Sequence, residues 1–449
     1  LAIQLFADDM VLMAESGEML SEMLDIITVF VDQVRLRLST GLQQKKSAVM
    51  VYGSSVRDEF PLERFHVCGQ RIPIAETYRY LGVKLHNEGD WEPHVKQIRS
   101  NIGQRLGEMR EAGMSKYGLP ARRGRDMIRN EINPVLEYAS GAWTLPVALE
   151  RQVEMMWNKA VRSAAGVPGF VSIEPLIGDL DVLEGMVHSR FMQFRLTMWH
   201  RILRMDDDRM VKRCVMLWMK LHSDVPLKFN PARYWLDRIV QDLQAVGWGE
   251  CYRVYDPLQR TTLAAVSPSV LKEKLRKALL SKVVLPVWRN RMKGKGYLDE
   301  YRGAFKDPKY IEYQIPNTQI KIWKKESVFQ SYLEGTEDKA LVQFHTLLRA
   351  NALPFQSFRQ PYFRCGGRDA SELCFMCGQA REDLDHFMNE CSAYGGIRKD
   401  AGPFTLSGFV RAPSQSLKSV KLLFEMWRFR IRTWRRAHPQ QNPIQRLFS

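Results

Sequence analysis

The sequence predicts an α+β fold that gives way to a mainly helical chain and closes with a small Cys/His knuckle and a basic helical tail. Three observations carry this. The first ~90 residues alternate like strands around one helix, residues beyond Pro93 repeat apolar side chains at helical spacing, and Cys374, Cys377, His386 and Cys391 crowd into one short stretch.

Ile3, Leu5 and Ala7 share one face against Gln4 and Phe6, then come Asp8 and Asp9, then the apolar run 10–13. This reads as a hairpin with acids at its tip. Ser16 is placed to cap a helix, because Met19, Leu20, Met23, Ile26, Ile27, Phe30 and Val34 recur at helical spacing. Short strands follow at 48–52, 65–68 and 78–85, broken by Gly53, Gly69 and Pro73. Beyond Pro93, Val95, Ile98, Ile102, Leu106 and Met109 form a helical stripe with Arg99, Arg105 and Arg110 off it. Helical patterns continue through 152–165 and 183–205, and the Pro/Ser/Thr-containing stretch 256–268 reads as a linker. The segments expected are 1–91 (α+β), 92–255 (helical), 256–343 (basic connector), 344–395 (knuckle region) and 396–449 (basic helical tail).

A chain of 449 residues has room for about three domains and a sizeable core, which excludes a small disulfide-stapled fold. The net charge of +16 points to a polyanionic partner, nucleic acid before an anionic membrane surface. No apolar run reaches the ~18 residues that a membrane span needs, so nothing is expected to span a bilayer, and with nucleic acid the preferred polyanion no membrane partner is expected. Seven cysteines, mostly far apart, suit a reducing compartment and an intracellular protein of the nucleus, the cytoplasm or both. The chain opens on Leu1 without a signal-peptide pattern and reads as truncated at that end.

The cluster has the form C-x2-C-x8-H-x4-C, from Cys374 to Cys391. Ligands of the types zinc prefers sit two on a tight knuckle, eased by Gly378, and two on the turn after it. Four protein ligands fill a tetrahedral ion, which predicts a structural Zn2+ with no position for a reacting water. The other explanation is three unconnected buried cysteines and an exposed histidine. Cys365 is either a substitute ligand or a small buried residue.

Paired aspartates at a hairpin tip can be simple turn chemistry. Sequence order adds to them. The tip 6–9 and a helix are followed by the segment from Gly41 through Lys45, Lys46 and Ser47 to Met50, then by the run from Tyr78 to Val83. This order resembles motifs C, D and E of reverse transcriptases, specifically those of non-LTR, LINE-type retrotransposons. The run 344–349 before the knuckle is similar to the C-terminal segment of those elements, and 135–143 is similar to their thumb region. Gln43 stands where the family usually has Asn, and Met10 where it usually has Thr.

The resemblance implies an RNA-directed DNA polymerase, with 1–91 as the end of a palm and the helices after it as thumb and connector. It implies RNA template and DNA primer or target as partners and Mg2+ as catalytic cofactor, held by Asp8 with Asp9 in a lesser role. Lys46 becomes a candidate proton donor or phosphate contact, and Tyr80, Leu81 and Gly82 a primer grip. Lys46 can equally be a solvated lysine beside Lys45, and Tyr80 and Leu81 ordinary strand packing. In the family a second metal-binding aspartate and the fingers precede the hairpin, so a chain starting at Leu1 is expected not to polymerise alone. The alternative from another class is a non-catalytic, nucleic-acid-binding zinc-knuckle protein derived from a decayed or co-opted retroelement.

Residues 95–130, 271–325 and 418–446 carry net charges of +6, +10 and +7. Arg99, Arg105, Arg122, Arg123, Arg428, Arg430, Arg432 and Arg435 are the candidate nucleic-acid contacts, with the interleaved aromatics available to stack on unpaired bases. The competing explanation packs Trp427, Phe429, Ile431 and Trp434 inward and leaves the arginines solvated.

Overall fold

Ser16 stops the chain in an extended conformation and its hydroxyl accepts from the Met19 amide at 3.2 Å, which starts the first helix at the expected point. In the computed structural model this helix, α1 (Gly17–Gln33), follows the hairpin β1 (Ala2–Phe6) and β2 (Asp9–Met13), paired so that Phe6 faces Asp9. The structure describes residues 2–6, 8–39, 46–52, 65–111, 121–224, 230, 234–314, 321–325, 330, 333, 338–353, 355, 372–399, 401, 403–411 and 417–437.

Two further hairpins follow, β3 (His66–Val67) with β4 (Gln70–Arg71) and β5 (Thr77–Tyr80) with β6 (Val83–His86). The expected strand 48–52 is reduced to one parallel bridge, Val49 to Ile74. Leu24, Ile27, Val31, Val49, Phe65, Val67 and Ile72 form the core of this part. Only part of the expected α1 stripe is in it: Ile26 and Phe30 are exposed.

The rest is predominantly helical. It runs through α2 (Glu92–Met109), α3 (Ala121–Met127), a π-helical turn into α4 (Asn133–Glu137), α5 (Val147–Ala164), α6 (Ile173–Asp179), α7 (Val187–Leu203), α8 (Met210–Asp224) and α9 (Trp235–Ala245). Then come α10 (Pro257–Ala265), α11 (Pro268–Ala278), a π-helical turn into α12 (Leu285–Met292) and α13 (Asp299–Ala304). The hairpin β7 (Tyr310–Gln314) and β8 (Lys321–Lys325) precedes α14 (Lys339–Arg349), α15 (Gly395–Arg398), α16 (Leu406–Arg411) and α17 (Leu417–Ala437). The expected α2 stripe is buried throughout, from Val95 to Met109. The chain divides into units 1–100 and 101–449, the division falling inside α2. Among the described residues no helix is long and apolar enough to cross a membrane.

The expected linker at 256–268 is instead packed helix. Asp256 and Ser267 cap α10 and α11, and Pro257 and Pro268 sit at the first helical turn, where a missing amide costs nothing. Leu263, Leu271 and Leu275 share a core with Leu196, Trp199 and Ile239. Proline here starts helices and does not mark a break. Of the aromatics of the basic stretch 271–325 whose side chains are described, Trp288, Tyr301 and Phe305 are buried and Tyr297 is partly buried. The three buried rings close over Gly178 of α6, where an added Cβ would lie 2.6 Å from Tyr301 Oη and 2.8 Å from Phe305 Cε2.

Buried ion pairs tie the helices. Arg195 meets Asp242 through two bonds of 2.7 and 3.1 Å, and Arg349 of α14 meets Asp179 of α6 through two of 2.7 and 2.8 Å, with Tyr301 Oη donating to the same carboxylate at 2.8 Å. The family-like run 344–349 is therefore interior, with His345 and Arg349 both buried.

Candidate functional site

The knuckle is built by local rules. Leu373 bridges Arg381 across a tight turn, the Gly378 amide donates to the Cys374 carbonyl at 2.7 Å, and Gly378 adopts φ +67°. That left-handed conformation suits glycine and turns the chain sharply enough to bring Cys377 back beside Cys374. Asp383 Oδ1 accepts from the His386 amide at 2.9 Å and opens a π-helical turn, His386–Glu390, at whose end the Cys391 amide donates to the His386 carbonyl at 2.8 Å.

These turns bring all four predicted ligands together, every ligand atom within 4.8 Å of the others. Zinc bonds of about 2.3 Å to sulfur and about 2.0 Å to nitrogen set tetrahedral sulfur pairs about 3.8 Å apart and sulfur–nitrogen pairs about 3.5 Å apart. Cys374 Sγ and Cys391 Sγ are 3.7 Å apart, and Cys377 Sγ and His386 Nε2 are 3.4 Å apart. His386, expected to be exposed if the cysteines were unrelated, is buried. Its Nδ1 makes no hydrogen bond and has Glu390 Oε2 at 3.5 Å, a carboxylate placed to orient the ring. The cluster can hold a metal ion such as zinc. Cys365, the possible substitute ligand, lies outside the described residues.

Burial pushes the Cys374 and Cys391 thiols up. Burial also raises Cys377, but the Gln379 and Ala380 amides and the His386 ring outweigh it and bring that thiol down to about 7. Cys377 is thus the first sulfur ready to bind as thiolate near neutral pH.

One functional residue escaped the sequence: Glu382. It is buried with Oε1 3.7 Å from Cys374 Sγ, and it takes Arg430 of α17 through two bonds of 2.9 and 2.5 Å. Phe375 of the knuckle stands edge-on to Trp434 of α17 at 4.7 Å, and Phe387 to Trp427 at 6.0 Å. Nothing in spacing or composition separates Glu382 from its exposed neighbour Glu372.

This pairing corrects one predicted contact. Arg430 is fully buried and cannot reach a nucleic acid, whereas Arg428, Arg432 and Arg435 are exposed. Trp427, Ile431 and Trp434 pack inward, so the tryptophans are not stacking platforms, while Phe429 is 37% exposed. Arg99, Arg105, Arg122 and Arg123 are exposed, Arg105 pairing with Glu108 at 3.0 Å.

In the N-terminal unit Asp8 and Asp9 are exposed at the tip of the β1–β2 hairpin, as expected. Lys46 is exposed, and its backbone carbonyl accepts a hydrogen bond from Tyr78 Oη. Burial raises the Tyr78 phenol, and the nearby Asp9 charge raises it further. Tyr78 of the third segment thus hydrogen-bonds the backbone of the second and feels the charge of the first. Residues 41–45 of the second segment lie outside the described residues. Tyr80 and Val83 pair across a two-residue turn in which Leu81 has φ +45° and Gly82 φ +83°. Both values are what a type I′ hairpin turn demands, so Gly82 has a local structural reason beyond any close approach of a strand. Among the described residues Asp8 and Asp9 join no third carboxylate, histidine or cysteine, so these residues do not make a two-metal site.

Comparison with known proteins gives no match, whether to a family model, a curated protein or a solved structure.

Proposed function

We propose that this chain is the primer-template-holding part of a reverse transcriptase of the non-LTR, LINE-type lineage, an RNA-directed DNA polymerase. The observation that carries the reading is the hydrogen bond from Tyr78 Oη to the Lys46 backbone carbonyl, which joins the second and third of the family-ordered segments, with the Asp9 charge of the first acting on the same phenol. In this reading the hairpin tip faces the reacting end, and the β5–β6 turn at Tyr80, Leu81 and Gly82 guides the primer. The helices after it hold the duplex, and the knuckle uses Cys374, Cys377, His386 and Cys391 to hold a structural zinc that orders the C-terminal part. Asp8 and Asp9 are one strand's contribution to a catalytic centre, and a two-metal centre draws carboxylates from more than one strand.

A second reading, a non-catalytic nucleic-acid-binding protein of retroelement origin, is favoured by one observation: no third carboxylate joins Asp8 and Asp9 among the described residues. Crosslinking separates the two. A primer-template carrying a photoreactive group at the primer 3′ end is expected to crosslink to peptides containing the β1–β2 tip or the β5–β6 turn. Crosslinks confined to α17 and the knuckle would sink the polymerase reading and leave the second.

A further inference from the structure

We propose that the outer face of α17 is a rail for the sugar-phosphate backbone of a nucleic-acid double helix, set in place by the Glu382–Arg430 pair. This deepens the nucleic-acid reading above and rests on it.

Lys418, Lys421, Arg428, Arg432, Arg435 and Arg436 are all exposed on α17. At 100° per residue they fall within an arc of about 100°, in a line about 27 Å long. Glu425 is the one acidic residue of the helix. Among the described residues no carboxylate lies within ion-pair distance of any of the six, although Arg190, Arg195, Arg238, Arg349 and Arg430 all have acidic partners. The fold thus neutralises its interior arginines, whereas this face, on which Glu425 also falls, keeps six cations against one carboxylate, a net +5. Six cations in line repel one another, and a polyanion lying along them removes that cost.

The geometry also selects the form of the polyanion. Single strands are held largely by bases stacking on exposed aromatic rings. On α17 the large rings face the other way: Trp427 is 1% exposed and Trp434 2%. The half-exposed Phe429 stands edge-on to Tyr394 at 6.4 Å. A row of six cations with one half-exposed ring at its edge suits phosphates whose bases are already paired, and its length covers about eight base-pair steps. Such contacts position a duplex without reading its sequence.

Arg430 lies on the opposite face from the row, and its fork on Glu382 fixes how α17 is rotated about its axis. Phe375, beside ligand Cys374, packs on Trp434 and fixes the far end. Arg430 is a positioning residue and the outer arginines are the contacts.

The test is fluorescence anisotropy of the zinc-loaded full chain with an RNA–DNA duplex and with a single strand of equal length, over a salt series. Relative to the parent, the triple variant Arg428→Ala, Arg432→Ala, Arg435→Ala is expected to bind the duplex about ten-fold or more weakly at low salt. Its log–log salt slope should be shallower by about 3. Its zinc content and thermal melt should match the parent, since the three side chains are exposed, and the triple Arg→Lys variant should retain the parent slope. An unchanged slope in the alanine variant, with the parent binding tightly, overturns the rail and leaves the nucleic-acid reading standing. Equal losses for single strand and duplex overturn the choice of a double helix. Failure of the parent to bind either form removes both claims.

Discussion

Leu81 is a branched-chain residue held at φ +45° in a turn position that Asn or Gly fills without strain. Leu81→Asn is expected to stabilise the protein by about 1 kcal/mol, read as a shift of the denaturation midpoint with an unchanged slope. If the same variant weakens primer-template binding, the leucine is kept for contact at the expense of stability. His345 is a second residue with a measurable signature. Burial, and then the charge of Arg349, pull its pKa from 6.5 down to about 3, with Asp179 opposing. The folded state therefore holds a neutral ring where the unfolded chain is protonated. Its contribution is complete above pH 6.5 and is lost as the pH falls from 6.5 toward 3, at up to about 1.4 kcal/mol per pH unit. Glu150 loses its contribution lower. Burial raises its carboxyl, but the His188 hydrogen bond and the charges of His188 and Arg238 win and bring it to about 2, so stability drains between pH 4.5 and 2. His345→Gln should flatten the stability curve between pH 6.5 and 4.5, and a curve as steep as the parent's would show that the acid sensitivity lies elsewhere.

At the scale of elements, the knuckle and α17 are tied together because Glu382, which holds Arg430 of α17, lies in the same short stretch of chain as the four candidate metal ligands. Removing one partner of a buried ion pair leaves an uncompensated charge, which costs about 3–5 kcal/mol. Arg430→Met is therefore expected to lower thermal stability and to loosen the zinc site, read as faster zinc release to a chromophoric chelator. Retention of parent stability and release rate would show the pair to be dispensable. Elemental analysis should find one zinc per chain, and Cys374→Ser with Cys391→Ser should abolish it. Structural zinc of this type contributes on the order of 10 kcal/mol to local folding, so chelation should also remove protection from proteolysis around 372–399. A double variant with full zinc content would exclude the tetrahedral site.

For the whole molecule, among the described residues no further carboxylate joins Asp8 and Asp9 to complete a two-metal centre, and the 449-residue chain is expected not to extend a primer. In a longer protein that supplies a second aspartate strand, Mg2+-dependent extension should depend on Asp8 and vanish in Asp8→Ala. Extension by the 449-residue chain, lost in Asp8→Ala, would show that the carboxylates needed are already present in it.

The metal knuckle was legible because its information is local. Cys374, Cys377, His386 and Cys391 lie within two turns of chain, and Gly378 marks the bend between them. The acidic hairpin and the capped helix after it were legible for the same reason: strand alternation, a capping serine and helical periodicity act over a few residues. Charge was legible in total but not by residue. The same run of the tail contains Arg428 facing outward and Arg430 buried on Glu382, and helix rotation against a partner 48 residues away decides between them. Pro257 and Pro268 read as a break because proline opens helices as well as ending them, and only packing on Trp199 and Ile239 tells which. The hydrogen bond from Tyr78 to the Lys46 carbonyl, the closure of Trp288 and Tyr301 over Gly178, and the pairing of Asp179 with Arg349 belong to the tertiary structure alone. They join segments whose separation in sequence carries no short-range signal; Asp179, Arg349 and the Tyr301 hydroxyl meet because buried charges and hydroxyls must find partners wherever the packed helices bring them together.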